Sequence, residues 1–166
     1  LMLEELNQDV SSNNLLKSGW LTNLGQSEWE SLIRKAIEVG SDDSLAMELR
    51  LGGRLKVTAE RKKPTGGFTT YKLPPHAAEI IAEGEFNRYY VRAICRQAIK
   101  DGRVEVEVYR AKQVVVPRPE SEQKIGSLFD ANAVLTDLRH SVGLEPALGI
   151  PSGPASGLSV KRANSD

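Results

Sequence analysis

The chain has 166 residues and a formal net charge of zero, with 40% apolar, 27% charged and 5% aromatic residues. These values are typical of one globular domain that buries an aliphatic core without a metal or a disulfide. A single cysteine excludes an intramolecular disulfide and a cysteine-based zinc site, and no apolar run approaches the length of a membrane span. We therefore expect a cytoplasmic protein with no membrane partner.

Residues 1–19 are predicted to form an N-terminal arm, because a short helix is followed there by a polar stretch rich in serine and asparagine. A single α+β domain is expected over residues 20–142. Its first helix is predicted over residues 27–39, where Ser27 as N-cap and Glu30 three positions later match a capping box. The apolar residues of this helix share one face, which indicates core packing.

Residues 45–73 are predicted to form a three-stranded antiparallel meander. Apolar and polar residues alternate on both sides of the Gly52-Gly53 pair, which is typical of a hairpin. A third run, residues 68–73, is rich in Phe, Thr and Tyr, as strands are. The turn before this run is a basic tip that consists of Arg61, Lys62 and Lys63.

An amphipathic helix is predicted over residues 86–101, after a shorter helix near residues 76–82 from which Gly84 separates it. Cys95 lies in its apolar arc, so we interpret this thiol as a core residue rather than a nucleophile. Four cations at intervals of four residues form a basic ridge beside the arc: Arg88, Arg92, Arg96 and Lys100. Either solvent and internal acids neutralise this ridge, or it binds an anion such as phosphate.

Residues 103–110 are predicted to form a strand, because valines alternate with polar residues there. One polar face suits an antiparallel sheet, so we expect this strand to join the meander as a fourth member. Asp130 can cap a helix over residues 130–142. Residues 143–166 are rich in Gly, Pro and Ser, and form either a free tail or one in which residues 158–160 pair with a sheet edge.

The predicted fold is therefore α+β. A mainly antiparallel sheet of about four strands, made of the meander 45–73 and the strand 103–110, is packed by helices 27–39, 86–101 and 130–142.

Charge is unevenly distributed along the chain. Residues 1–43 carry −5 and residues 74–85 carry −3, whereas residues 44–73 carry +5 and residues 86–112 carry +4. Such blocks indicate either a polarised surface that meets anions or complementary copies of the protein, or neutralisation within the fold.

Motifs that carry chemistry are sparse. His76 and His140 are the only histidines and Cys95 is the only thiol, and neither a metal-ligand spacing nor a nucleotide-binding glycine motif is present. The sequence thus predicts no catalytic residue, no cofactor and no metal site.

The leading functional hypothesis is a non-catalytic protein that contacts nucleic-acid phosphates through the basic hairpin and the arginine-ridged helix. Its candidate binding residues are Arg61, Lys62, Lys63, Arg88, Arg92, Arg96 and Lys100. The neutral pI, about 7.0, argues against a dedicated nucleic-acid binder. The alternative is a structural self-assembly subunit, shell-like or phage-like, whose arm, hairpin and tail reach neighbouring copies. An enzyme of unrecognised type is the third hypothesis.

Overall fold

A computed structural model describes residues 1–141, 143–151 and 156–163 and shows an α+β fold, as predicted. Within these residues the helices are α1 (Met2–Ser11), α2 (Asn23–Val39), α3 (Asp42–Arg50), α4 (Ala77–Lys100), α5 (Pro119–Glu122), α6 (Ala131–His140) and α7 (Leu144–Ala147). The strands are β1 (Thr58–Lys62), β2 (Phe68–Lys72), β3 (Glu105–Arg110), β4 (Leu128–Asp130) and β5 (Leu158–Arg162). They form a two-stranded sheet, β1-β2, and a three-stranded sheet in the order β4-β3-β5.

The helix α4 lies at the centre of the molecule. It merges the two helices predicted at 76–82 and 86–101, because Gly84 stands inside the helix and does not end it. Val91 and Cys95 face one buried cluster, formed with the three-stranded sheet and α6. Ile81 and Tyr89 face a second buried cluster, formed with α1, α2 and α3.

All pairs in the three-stranded sheet are antiparallel. The strand predicted at 103–110 is confirmed as β3, and Val106 and Val108 are fully buried beneath α4 and α6. The expectation that this strand joins the hairpin is wrong, since its neighbours are β4 and β5. Residues 158–160 were expected either to be part of a free tail or to pair with a sheet edge. In the structure they pair with β3, and Val160 lies opposite Val108.

The first strand predicted for the meander is also wrong, because residues Asp42–Arg50 form the helix α3. Ser41 and Ser44 make a reciprocal capping box at its start. Leu45 and Leu49, one helical turn apart, are both buried, whereas Met47 between them is exposed. The apolar residues in this stretch therefore form the buried face of a helix. What remains of the predicted meander is the β1–β2 hairpin.

Two other predicted helices are present with shifted ends. The helix expected at 27–39 begins earlier, at Asn23, and its N-cap is Thr22, whose side chain accepts the Gly25 N–H at 3.1 Å. The helix expected at 130–142 is α6, and Asp130 caps it as predicted by accepting the Ala133 N–H at 2.8 Å. The predictions for residues 142, 152–155 and 164–166 lie outside the described residues.

Candidate binding surfaces

The first half of the predicted basic ridge is buried. The side chains of Arg88 and Arg92 are 2% and 0% exposed, because α1 covers this face of α4. Asp9 of α1 lies 2.5 Å from Arg88 Nη2 and 2.6 Å from Arg92 Nη1. Glu5 accepts the Arg92 Nε–H at 2.7 Å, and Glu85 lies 3.1 Å from Arg88 Nη1. The charges of these two arginines are thus neutralised by acids within the fold.

The second half of the ridge is divided between the same acids and solvent. Arg96 lies 2.7 Å from Glu4 and 3.2 Å from Glu5, and Arg139 of α6 reaches Glu5 at 2.6 Å. Burial raises the pKa of the Glu5 carboxyl, but its hydrogen bonds and charge interactions with Arg139 and Arg92 outweigh burial and lower it. Lys100 is exposed at the end of α4. These cations therefore dock α1 onto α4 and α6 and do not form one continuous open surface.

The predicted basic tip, in contrast, is exposed throughout. Arg61, Lys62 and Lys63 all face solvent in the β1–β2 hairpin. Arg61 lies over the Tyr71 ring, 5.7 Å from its centroid, and the Tyr71 hydroxyl accepts the indole N–H of Trp20 at 2.8 Å. Five cations belong to the hairpin and its approach, and none has an ion-pair partner among the described acids: Lys56, Arg61, Lys62, Lys63 and Lys72.

The hairpin also carries exposed apolar surface. Phe68 is 67% exposed and lies directly opposite Lys62 in the strand register. Opposite residues of an antiparallel pair point to the same face, so the phenyl ring and the ammonium group stand side by side. Within the described residues, only the base of the hairpin is anchored, by a small cluster that includes Ala59, Leu73 and Ala77. Among the described strands, β1 and β2 pair only with each other, which leaves both outer edges free.

A cleft that the sequence did not predict opens between α4, the end of β3 and the start of β5. Its volume is about 260 Å³. Much of its wall is apolar or aromatic: Phe86, Tyr90, Tyr109, Leu144 and Leu158. A second depression of about 410 Å³ adjoins it toward the start of α4 and shares Glu83, Lys112 and Gly157 with it. Residues from five separate segments build this cleft, so no local pattern could have revealed it.

Lys112 is the cation of the cleft. Its Nζ lies 2.5 Å from Asp42, 3.1 Å from Glu83 and 3.4 Å from Asp43. Burial lowers the pKa of this ammonium group, but the hydrogen bonds with Asp42 and Glu83 outweigh burial and raise it. Lys112 therefore holds the start of α3 against α4, and acids remain in excess at the rim.

Gly157 fixes the floor of the cleft. Its φ of +68° is a left-handed conformation, and a Cβ at this position would lie 2.2 Å from the Lys112 carbonyl oxygen. The Gly157 carbonyl accepts the N–H groups of Ala111 and Lys112 at 2.8 and 3.1 Å. Nearby, Asn87 of α4 donates to the Leu158 carbonyl at 2.8 Å and accepts from the Ser159 hydroxyl at 2.7 Å. The first residues of β5 are thus tied to α4 by direct hydrogen bonds.

The tyrosines of the cleft are close neighbours. Burial raises the pKa of the Tyr90 hydroxyl, and the charge interaction and hydrogen bond with Tyr109 raise it further. The Tyr90 hydroxyl therefore stays protonated near neutral pH and can act as a hydrogen-bond donor or acceptor.

The histidines and the cysteine are not brought together. His76 is exposed at the start of α4, and His140 is exposed in α6 with Nδ1 2.7 Å from the Thr136 carbonyl. Cys95 is fully buried, as predicted, and burial raises the pKa of its thiol to about 12. In the described parts of the chain no group of three His, Cys, Asp or Glu residues is placed to hold a metal ion. None of the described helices has both the length and the hydropathy of a membrane-spanning segment.

Comparison of the chain with family models, with curated proteins and with solved structures finds no match.

Proposed function

We propose that the protein is a non-catalytic binding protein that assembles with copies of itself through the β1–β2 hairpin. The observation that carries this proposal is the exposure of Phe68 beside Lys62, whose charge is unpaired, on a ribbon with two free edges. Large exposed aromatic side chains are enriched where proteins bind proteins, and free strand edges offer backbone groups for pairing with another chain.

The stability of the hairpin supports the same proposal. An isolated two-stranded ribbon is marginally stable in water, because it has few side chains to bury. In the part of the chain that the structure describes, the hairpin contacts other elements near its base alone, and residues 60–68 are exposed on both faces. A partner that covered this ribbon would stabilise it by burying Phe68 and by satisfying its edge groups.

Of the three elements suggested for contacts between copies, the hairpin is the one that does not pack within the protomer. The sequence suggested an arm, a hairpin and a tail as contact elements. The helix α1 and the strand β5, which come from the arm and the tail, pack within the protomer. Beyond its base, the hairpin has no such packing against the described residues.

The proposal is tested by the concentration dependence of the molar mass. We expect light scattering after size exclusion to show species heavier than the 18.2 kDa monomer, and Phe68→Thr to shift them toward the monomer. Threonine keeps the strand propensity and removes the ring. Val115→Thr is the matched control, because Val115 is exposed but lies outside the hairpin. A wild-type protein that stays monomeric at every concentration contradicts the proposal.

A second candidate function is nucleic-acid binding, and the five unpaired cations of the hairpin favour it. Replacement of Arg61, Lys62 and Lys63 with Gln should then weaken binding to unrelated oligonucleotides equally. The salt dependence should fall by about 0.7–0.9 in slope for each lost phosphate contact. The control makes the same change in charge elsewhere, at Lys17, Lys124 and Lys161. Equal losses in both triple variants would indicate a general charge effect and not a hairpin site.

A further inference from the structure

The cleft beside α4 has apolar walls and acids at its rim, whereas the β1–β2 hairpin carries an exposed phenylalanine and exposed lysines. We propose that the cleft of one copy receives the β1–β2 hairpin of a second copy, with Phe68 in the cavity and Lys62 and Lys63 against the acids at its rim. This inference rests on the proposed self-assembly, since it names the surface to which the hairpin binds.

The cavity has the size and lining for one phenyl ring. A cavity of about 150 Å³ with aliphatic and aromatic walls holds benzene. The cleft offers about 260 Å³, with Phe86, Tyr90, Tyr109 and Leu158 in its walls. Burying an exposed phenylalanine in such a site stabilises a contact by about 1.5–3 kcal/mol before association costs are subtracted.

The charge at the rim is opposite to that of the hairpin. Three acids line the cleft, Asp42, Glu83 and Glu145, and only two cations pair with them: Lys112 with Asp42 and Glu83, and Arg118 with Glu145 at 3.9 Å. Each carboxylate can accept about four hydrogen bonds, so Asp42 and Glu83 keep acceptor capacity beyond Lys112. Lys62 is the register partner of Phe68, and its ammonium group would therefore reach the rim when the ring enters the cavity.

Gly84 gives an independent reason to expect an occupant. Glycine within a helix destabilises it by roughly 0.5–1 kcal/mol relative to alanine. The neighbours of Gly84 do not require it, because a Cβ at this position would meet no atom within 4 Å. The residue lines the cleft, and glycine is typical of sites where another backbone approaches closely.

The protomer does not satisfy this site with its own hairpin. Among the described residues, Lys62 and Lys63 make no ion pair with Asp42, Glu83 or any other acid. The hairpin and the cleft are different surfaces, so a hairpin-to-cleft contact is directional. Two reciprocal contacts would close a dimer, and a one-way series would build a ring or a chain.

Variants at Gly84 test the acceptor site. Gly84→Leu places a side chain in the cavity without a backbone clash, and we expect it to lower the assembled fraction at least tenfold. Ser31→Leu is the matched control, because it places the same side chain at an exposed position of another helix, α2, outside the cleft. Ala111→Phe fills the cleft from the opposite wall and replaces Gly84→Leu if that variant does not fold. Thermal melting confirms the folding of each variant.

Mixing two defective proteins gives the decisive measurement. A Phe68→Thr protein keeps an intact cleft, and a Gly84→Leu protein keeps an intact hairpin. Each should be largely monomeric alone, and an equimolar mixture should form a heterodimer because one good hairpin meets one good cleft. Differently tagged copies allow light scattering and co-purification to identify this heterodimer.

The outcomes separate this inference from the proposed function. If Phe68→Thr reduces assembly but Gly84→Leu does not, or if mixing restores nothing, the hairpin binds another surface and the inference is wrong. If the wild-type protein is monomeric throughout and binds oligonucleotides through the hairpin, both the inference and the self-assembly proposal are wrong.

Discussion

Arg92 and Asp9 are 83 residues apart in the chain and are joined in the interior by two hydrogen bonds, Nη1 to Oδ2 at 2.6 Å and Nη2 to Oδ1 at 3.0 Å. Glu5, one turn before Asp9, accepts from Arg92 Nε at 2.7 Å. All three nitrogens of the guanidinium group thus donate hydrogen bonds to residues of α1. This arrangement makes α1 part of the folded core and supplies the first prediction.

Removal of the Asp9 carboxylate should destabilise the protein strongly. Asp9→Leu leaves Arg88 and Arg92 buried with fewer counter-charges, and breaking a buried pair in this way costs about 3–5 kcal/mol. Glu30→Ala is the control, because it removes a partly exposed pair with Arg34 that should contribute less than about 1 kcal/mol. Urea denaturation measures both. Equal losses would show that the buried network contributes no more than a surface pair.

The pH dependence of stability should carry opposite signs at Glu5 and Glu85. The pKa of Glu5 is lowered in the folded state, so its contribution is present above the unfolded value of about 4.3 and is lost as the pH falls toward the folded value. Glu5→Gln should therefore flatten the loss of stability on acidification. Burial raises the pKa of Glu85 despite its contact with Arg88, so its contribution is lost as the pH rises through the folded value.

Unfolding free energies of the wild type, Glu5→Gln and Glu85→Gln measured from pH 7 to pH 3 check this prediction. Glu85→Gln should instead reduce the loss of stability that accompanies a rise in pH. The same pH profile in both variants would contradict the assignment of opposite signs.

The strand β5 should contribute substantially to stability. Leu158 is almost fully buried in the cluster that joins β3, β5, α4 and α6, so Leu158→Ala should cost about 2–5 kcal/mol. Val116→Ala, at an exposed position, should change stability by less than about 0.5 kcal/mol. Thermal melting compares the two. Similar melting temperatures would mean that β5 is not needed for the stability of the sheet.

The thiol of Cys95 should be protected in the native protein. It is fully buried with a pKa of about 12, so labelling near pH 8 should be slow in buffer and fast in denaturant. Phe68→Cys provides an exposed thiol in the same chain as an internal reference. Comparable native labelling of both thiols would contradict the described packing of α4 on the sheet.

Two glycines that line the cleft, Gly84 and Gly157, should respond in opposite directions to alanine. Gly84→Ala should stabilise the protein by about 0.5–1 kcal/mol, because the added methyl group meets no neighbour and favours the helix. Gly157→Ala should destabilise it, since its φ is positive and the methyl group would strike the Lys112 carbonyl. Urea denaturation gives both free-energy changes. A stabilising Gly157→Ala would contradict the clamp between residues 111–112 and Gly157.

The sequence correctly predicted those elements whose buried residues recur at the regular spacing of a helix or a strand. The burial of Cys95 in α4 and of Val106 and Val108 in β3 follows from spacings of 3.6 and 2 residues, and the structure confirms them. The helix α3 shows why a period alone can mislead. Leu45 and Leu49 fit a helical spacing as well as an alternating one, and the serines at 41 and 44 were the local signal for a helix start.

The partners of the basic ridge could not be read from its own helix. The sequence left open whether Arg88 and Arg92 bind an anion or are neutralised within the fold, because the acids of α1 reach them only through contacts between distant segments. Glu5 and Asp9 are four residues apart, which matches the spacing of the arginines in the ridge. Together with the net negative charge of residues 1–43, this spacing was the signal in the sequence that α1 could pair with the ridge. The cleft and the partners of β3 depend on the same kind of long-range contact.

The position of β5 in the sheet has a consequence for how the chain folds during synthesis. Residues 158–162 fill one side of β3 and bury Leu158 and Val160, yet they are translated about fifty residues after β3 itself. Until they leave the ribosome, β3 presents an unpaired edge and the cluster beneath α4 stays incomplete. A nascent chain stalled before residue 158 is therefore a target for chaperones and for pairing with other nascent chains, whereas one whose residues 158–162 have left the ribosome can close its own sheet.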